Sequence, residues 1–450
     1  MVTRTKKGML WMLVNVCRLL VAVTFIFSAI VKIIDPRGTE YKLQDYGEAF
    51  GASALLPSYV PLVLAVILAL IEFRIGINTL FGIRRKSTSK ITLAFMAVMT
   101  PLTLYIALYE PVSDCGCFGD AWVLTGWQTF FKNVVLLAAT LVLVFFPRYQ
   151  TRLISQKHQW LVSLYSLLYG IVLASYCIYF LPVIDFRPYH VGADVVKAMT
   201  PEGDVEFETQ FLMEKDGEQK LFTMDDYPDS TWTFVDTKTI QHGEQSVPEI
   251  DNLQIVTCLD GEDITEDILS ADGYKFFLVA PYLEWADDGY MDAYERIYDY
   301  AEKQDYPFYC LTASGEEGIR RWTDLTGAAY PFAHTDAVTL KTMVRSNPGL
   351  ILMKGPIVVA KWPCTDLPDL HVGSAPLDQT PMGTPQLQSH VQRTIQLISW
   401  FVIPLGLITL VDRLWFGQRM FRAHRIRKKR KKNIVKPIKT NNNEKENRSR

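Results

Sequence analysis

Apolar positions along the 450-residue chain gather into six long, nearly unbroken runs. Five lie at roughly 9–34, 59–83, 90–109, 128–146 and 160–181, and the sixth at about 393–416. A helix rises about 1.5 Å per residue, so about 20 apolar residues cross a hydrocarbon core about 30 Å thick. Each run therefore predicts a membrane-spanning helix. The first is too long for the apolar part of a secretion signal, and no small-residue cleavage site closes it cleanly, so it is expected to be retained. Between the fifth and sixth runs the pattern changes. Residues 205–235 read as short strands, with turns at Asp216-Gly217 and Tyr227-Pro228. From Gly273 onward strand and helix alternate: a buried strand at Tyr274–Ala280, a helix over 287–303, a strand over 307–312 and a short helix over 316–325. A helix over 339–344 and two strands, 349–353 and 357–361, follow, the strands turning at Lys354-Gly355-Pro356.

Charge divides the chain the same way. The net charge of −2 is a cancellation. Residues 183–390 hold 37 Asp/Glu against 14 Lys/Arg, while the remainder holds 32 Lys/Arg against 11 Asp/Glu. A single soluble body is excluded, and so is nucleic-acid binding by the central region, which would repel phosphate. Basic residues cluster at Arg4, Lys6 and Lys7, at Arg84, Arg85, Lys86 and Lys90, at Arg148, Arg152 and Lys157, and after the sixth run. With six spans all four clusters fall on one side. The positive-inside rule makes that side cytoplasmic. The chain is then expected in the bacterial cytoplasmic (inner) membrane, with both termini inside and the acidic region outside. Its first partner is the lipid bilayer.

Charges inside a span are costly and usually have partners. Arg18, Glu72 and Arg74 lie well within the first two runs. If those helices pack as an antiparallel hairpin, Glu72 is expected beside Arg18 or Arg74. Lys32 is expected near enough to the outer surface for its ammonium to snorkel there.

Seven cysteines are too few for a disulfide-built scaffold. The segment Ser113-Asp114-Cys115-Gly116-Cys117-Phe118-Gly119-Asp120 sets two thiols one glycine apart in a loop expected outside the membrane. Residues two apart can reach the Cα separation of a disulfide, roughly 4.4–6.8 Å, and the glycine eases the turn. So small a ring is strained, and strained disulfides exchange more readily. A redox pair and a static loop closure both fit. No further Cys or His lies near enough to complete a metal site. Cys177, about a turn from the outer end of the fifth run, is a conceivable relay, although a buried apolar thiol is common at such a place.

Phe25-Ile26-Phe27-Ser28-Ala29-Ile30-Val31-Lys32-Ile33-Ile34-Asp35-Pro36 resembles the first-span signature of the DoxX/MauE superfamily of four-helix membrane proteins. Glu72 with Gly76, and Cys115-Gly116-Cys117-Phe118-Gly119, are similar to its MauE branch. The resemblance covers about residues 9–147. It implies maturation of methylamine dehydrogenase beside a thioredoxin-like partner, and for DoxX relatives quinone-linked sulfur oxidation. A quinone is therefore the one cofactor suggested.

The alternation after Gly273 resembles the thioredoxin-like fold in its thiol-peroxidase and TlpA-like branch, with Pro348 at the position of that fold's cis-proline. A redox member carries Cys-x-x-Cys after the first core strand. Here that stretch is Ala280-Pro281-Tyr282-Leu283-Glu284-Trp285, without a thiol. Cys310 and Cys258 read as inert, and Cys364 as the one thiol of this region expected to be exposed.

The expected architecture is thus an α-helical membrane bundle with an α/β thioredoxin-like extracytoplasmic domain. A DoxX/MauE-like four-span unit covers 1–150 and a fifth span lies in 151–182. The acidic domain covers 183–390, with its core at about 272–365, followed by a sixth span in 391–418 and a basic tail over 419–450. The expected function is thiol–disulfide chemistry or maturation of an extracytoplasmic client through Cys115 and Cys117, with quinone re-oxidation and Cys177 as relay. The alternative is a membrane-anchored scaffold whose outer domain only binds partners.

Overall fold

The apolar runs fold as helices. A computed structural model describes residues 2–51, 57, 59–110, 116–201, 206–215, 218–222, 232–242, 248–251, 253–385 and 387–434. Its contacts divide the chain into one unit of residues 1–178 with 392–450 and a second of residues 179–391.

The first unit is built from α1 (Val2–Ile34), α2 (Pro36–Ala49), α3 (Val60–Phe81), α4 (Arg85–Tyr109), α5 (Gly126–Phe145), α6 (Gln159–Tyr179) and a C-terminal helix, Leu387–Ile434. Among the described residues six helices are long and apolar enough to cross a membrane, α2 being the exception in this unit. α2 is a polar helix started by the Asp35 carboxylate, which accepts from the Gly38 N–H, with Pro36 at its first position.

α1 and α3 run antiparallel. Their register brings Arg18 to Leu80, Ile26 to Gly76 and Ser28 to Glu72. A Cβ at position 76 would lie 2.7 Å from Ile26 Cγ1 and 2.9 Å from the Ile26 backbone nitrogen. Only glycine permits this approach. Val14, Val21 and Phe25 of α1, Ile75 of α3, Met96 of α4, and Leu136, Ala139 and Leu143 of α5 form one buried core. α5 starts at a reciprocal cap: the Thr125 hydroxyl accepts from the Gln128 N–H and the Gln128 carbonyl from the Thr125 N–H.

α6 joins α3 through the Ser163 hydroxyl, which donates to Asn78 Oδ1 at 2.8 Å. The C-terminal helix contains Pro404, which leaves the Trp400 carbonyl without its helical donor. The Tyr165 hydroxyl of α6 donates to that carbonyl, and the Tyr169 hydroxyl donates to the Leu397 carbonyl. The proline thereby becomes a docking point.

The second unit contains α7 (Val195–Met199), β1 (Glu206–Lys215), β2 (Glu218–Phe222), β3 (Thr233–His242), β4 (Val256–Thr257), α8 (Thr265–Ser270), β5 (Tyr274–Ala280) and α9 (Met291–Lys303). β6 (Phe308–Thr312), α10 (Glu316–Thr326), β7 (Phe332–His334), α11 (Ala337–Met343), β8 (Gly349–Lys354) and β9 (Ile357–Pro363) follow. β2, β1 and β3 make an antiparallel three-stranded sheet. The turns expected at Asp216-Gly217 and Tyr227-Pro228 lie outside the described residues.

The other six strands form a mixed sheet in the order β4-β7-β6-β5-β8-β9. β5, β6 and β7 are parallel, and β8 and β9 antiparallel to their neighbours. β5 is buried on both faces, as its unbroken apolar run predicts. Phe276, Leu278 and Ala280 pack with Tyr294, Ile297 and Tyr300 of α9. Phe277 and Val279 face the opposite layer, with Leu340 and Met343 of α11 and Tyr189.

Candidate functional site

Ser28 and Lys32 are one helical turn apart and share a face of α1. Opposite them, α3 presents Glu72. The Lys32 ammonium lies 2.9 and 3.1 Å from the two Glu72 carboxylate oxygens and 2.7 Å from the Ser28 hydroxyl. Lys32 is 6% exposed and Glu72 3%. A charged pair so buried persists only when its hydrogen-bonding capacity is met. The remaining partner comes from the loop between α4 and α5. The Cys117 carbonyl accepts from Lys32 at 3.0 Å and lies 2.7 Å from the Ser28 hydroxyl, which also points to Glu72 at 2.8 Å. The three ammonium protons thus serve Ser28, Glu72 and the Cys117 carbonyl.

The loop turns back into the bundle through two glycines in the left-handed region, Gly116 (φ +61°) and Gly119 (φ +51°). A Cβ on Gly119 would meet Val31 at 2.9 Å. Phe118 is buried between Phe27 and Trp122, and the Lys132 ammonium stands 4.0 Å from its ring centre. A cavity of about 30 Å³ lies beneath, with Cys117, Ser28, Glu72, Met96, Met99 and Asn133 in its wall. That is room for about one or two water molecules.

Lys32 therefore does not snorkel, and Glu72 pairs with neither Arg18 nor Arg74. The α1–α3 register explains the difference, because it brings residues 28 and 32 to the level of Glu72. Arg18 instead donates to the Leu80 and Thr151 carbonyls at 3.1 and 2.7 Å, satisfying the end of α3. Arg74 is exposed on α3. Cys177 is buried on α6 and does not line the cavity. Cys115 lies outside the described residues. α2, which the sequence reading passed over, covers the loop: Lys42 is the nearest side chain to a Cβ built on Gly116.

In the second unit the Asn347–Pro348 peptide bond is cis. Asn347 Nδ2 donates to the Tyr282 carbonyl at 2.8 Å. Beyond β5 the Ser314 hydroxyl accepts from the Leu283 N–H at 2.9 Å and donates to Glu284 at 2.6 Å. Cys364, expected to be exposed, is 9% exposed, at the same end of the sheet as Pro348, whereas Cys258, read with Cys310 as inert core, is exposed just after β4. Cys310 is enclosed within β6, and burial pushes its thiol pKa far above the usual range, which suits an inert core residue. A separate buried group joins Asp185 to Arg187 at 2.7 Å and to Lys361 at 2.8 Å.

Six helices of spanning length and a mixed-sheet domain make this a multi-pass membrane protein with a folded domain outside the apolar runs. Residues 10–146, which include the whole Ser28–Lys32–Glu72–Cys117 cluster, match the family of the methylamine utilisation protein MauE. The membrane unit thus carries a MauE-like domain. Residues 207–242, the three-stranded sheet, match a domain of unknown function (DUF8463). No curated protein and no solved structure matches the chain.

Proposed function

We propose that the MauE-like unit is a thiol–disulfide exchange station, with Cys115 and Cys117 as the exchanging pair and the mixed-sheet domain as the element that engages client proteins. The observation that carries this reading is the clamp on the Cys117 carbonyl. A buried ion pair is an expensive way to close a loop, and here it fixes the main chain of one cysteine of the pair. The exchange balances without a cofactor. A client thiolate attacks one sulfur of the Cys115–Cys117 disulfide, and the other sulfur leaves as a thiolate. The second client thiol then resolves the mixed disulfide, so two electrons and two protons pass from the client to the pair. A disulfide of a second protein returns the pair to its oxidised form by the same exchange in reverse. Quinone re-oxidation is not needed for this balance, and no quinone step is included. Cys177 is likewise left out, because α6 does not bring it to the cavity.

The parallel β5-β6-β7 strands, the antiparallel β8-β9 hairpin and cis-Pro348 support a thioredoxin-like reading of the mixed sheet. In the stretch where a redox member carries thiols, Glu284 stands instead and accepts from the Ser314 hydroxyl. This favours binding over exchange in that domain. The proposal places both the loop and the acidic domain outside the cytoplasmic membrane.

The test is trapping. In cells, Cys115→Ser and Cys117→Ser variants should each change the set of mixed disulfides seen on non-reducing gels, with one variant accumulating a client adduct. If Cys115 and Cys117 are both alkylated in full before and after oxidation, and neither variant forms an adduct, the reading is wrong.

A further inference from the structure

We infer that the groove between α3 and α6, at the end of the bundle opposite the Cys117 loop, is a binding site for the phosphate of an anionic phospholipid. The groove measures about 280 Å³, and Arg74, Arg84, Asn78, Gln159, Ser163 and Trp160 form its polar wall and rim. It offers donors and no acceptor of full charge. The Asn78 carbonyl oxygen is occupied by the Ser163 hydroxyl at 2.8 Å, and the Gln159 carbonyl oxygen by the Arg84 N–H at 3.2 Å. Both amide oxygens are thus engaged by donors, and Gln159 is only 8% exposed. No carboxylate lines the groove, and among the described residues neither the Arg74 nor the Arg84 side chain has an ion-pair partner.

Arg74 makes the case for a lipid. It lies seven residues before the end of α3, about 10 Å along the helix, and is exposed on a helix of spanning length. An arginine at that depth needs a counter-charge. The nearest carboxylate on its own helix, Glu72, is held by Lys32. A groove opening between two spanning helices is within reach of the phosphates of the bilayer. Guanidinium forks suit phosphate oxygens, and basic pockets between spanning helices bind anionic headgroups. Trp160 at the rim is the side chain usual at the membrane–water boundary.

Native mass spectrometry of the full-length protein in detergent, titrated with phosphatidylglycerol or phosphatidylcholine, tests the inference. Phosphatidylglycerol should be retained in preference. Arg74→Gln with Arg84→Gln should weaken that binding about 25-fold, the product of about fivefold for each arginine. Arg74→Lys with Arg84→Lys keeps the charge and should stay closer to wild type. Lys86→Gln with Lys90→Gln alters a neighbouring basic groove and should leave the affinity within about twofold. The inference is overturned if the double glutamine variant binds phosphatidylglycerol like wild type, or if the Lys86/Lys90 variant loses as much. It is also overturned if excess inorganic phosphate displaces the lipid, which would mark a site for soluble anions.

Discussion

Replacing Lys32 by Met removes the centre of the site while keeping a long unbranched side chain. The Glu72 carboxylate, 3% exposed, and the Cys117 carbonyl both lose the ammonium and are left to share the one proton of the Ser28 hydroxyl. Breaking a buried pair by removing one partner costs about 3–5 kcal/mol. The mirror change, Glu72→Leu, leaves a buried ammonium and should cost a similar amount. The double variant Lys32→Met with Glu72→Leu carries no stranded charge, so most of the loss should return. The expected coupling is therefore about 3 kcal/mol or more, measured as a double-mutant cycle on unfolding of the purified protein in mixed micelles. A second readout is local. Losing a charge-assisted hydrogen bond worth about 1.5–3 kcal/mol should raise the open fraction of the loop about 10- to 100-fold. Maleimide labelling of Cys117, followed by mass spectrometry in a Cys115→Ser background, reads that fraction directly. The reasoning fails if both single variants unfold within 1 kcal/mol of wild type and the double variant is merely additive.

Three further outcomes follow from other contacts. Gly76→Ala should destabilise the α1–α3 pair by about 1–3 kcal/mol, because the new methyl would sit 2.9 Å from the Ile26 nitrogen; a matching rise in SDS sensitivity would show it. Tyr165→Phe should cost about 1 kcal/mol and loosen the C-terminal helix, seen as faster hydrogen exchange around Trp400, since Pro404 supplies no donor to that carbonyl. Burial alone would raise the Asp185 pKa, but Lys361 and then Arg187 outweigh it and hold the carboxyl well below the usual range. Its contribution to stability is therefore complete above the ordinary aspartate pKa of about 4 and is lost as pH falls below that. Asp185→Asn should lower the neutral-pH stability of the second unit by about 3–5 kcal/mol and flatten this acid limb in hydrogen exchange of β8 and β9.

The spanning helices and the elements from β5 onward, except the three-residue strand β7, were legible because each rests on local pattern. Continuous apolar runs mark the helices, and β5 coincides with the run at Tyr274–Ala280. The partner of Glu72 was not legible, for a physical reason. Depth counting treats α1 and α3 as ending at common planes. Their observed register instead meets at 18 with 80, 26 with 76 and 28 with 72, which carries Lys32 inward to Glu72. Gly76 is the one local sign of that register, since a small residue marks where two helices approach, but it does not name the facing residue. α2 was legible in principle from Asp35-Pro36, a helix-starting pair, yet its polar composition gives no apolar run to attract notice. The burial of Cys364 was not legible, because it rests on a core shared with Leu283 and Tyr294, residues distant in sequence.

The clamp acts on main chain, and this bears on the proposed exchange. A cysteine that changes partners presents a different sulfur environment as a thiolate, as a mixed disulfide and as a loop disulfide. Its carbonyl is the same in all three. Holding Cys117 through that carbonyl, with the Lys32 ammonium as donor, fixes the loop without choosing among redox states. A clamp on the sulfur would favour one state and oppose turnover. Cys310 shows the opposite arrangement: its sulfur is packed inside β6, its thiolate is disfavoured by burial, and no exchange can begin there. The same argument assigns separate tasks to Glu72 and Lys32. Lys32 reaches the loop, while Glu72 aims its ammonium, so a neutral donor at position 32 should retain part of the loop's order and an apolar one should not. Lys32→Gln labelling at Cys117 should therefore fall between wild type and Lys32→Met, whereas a purely electrostatic role for Lys32 would make the two variants equal.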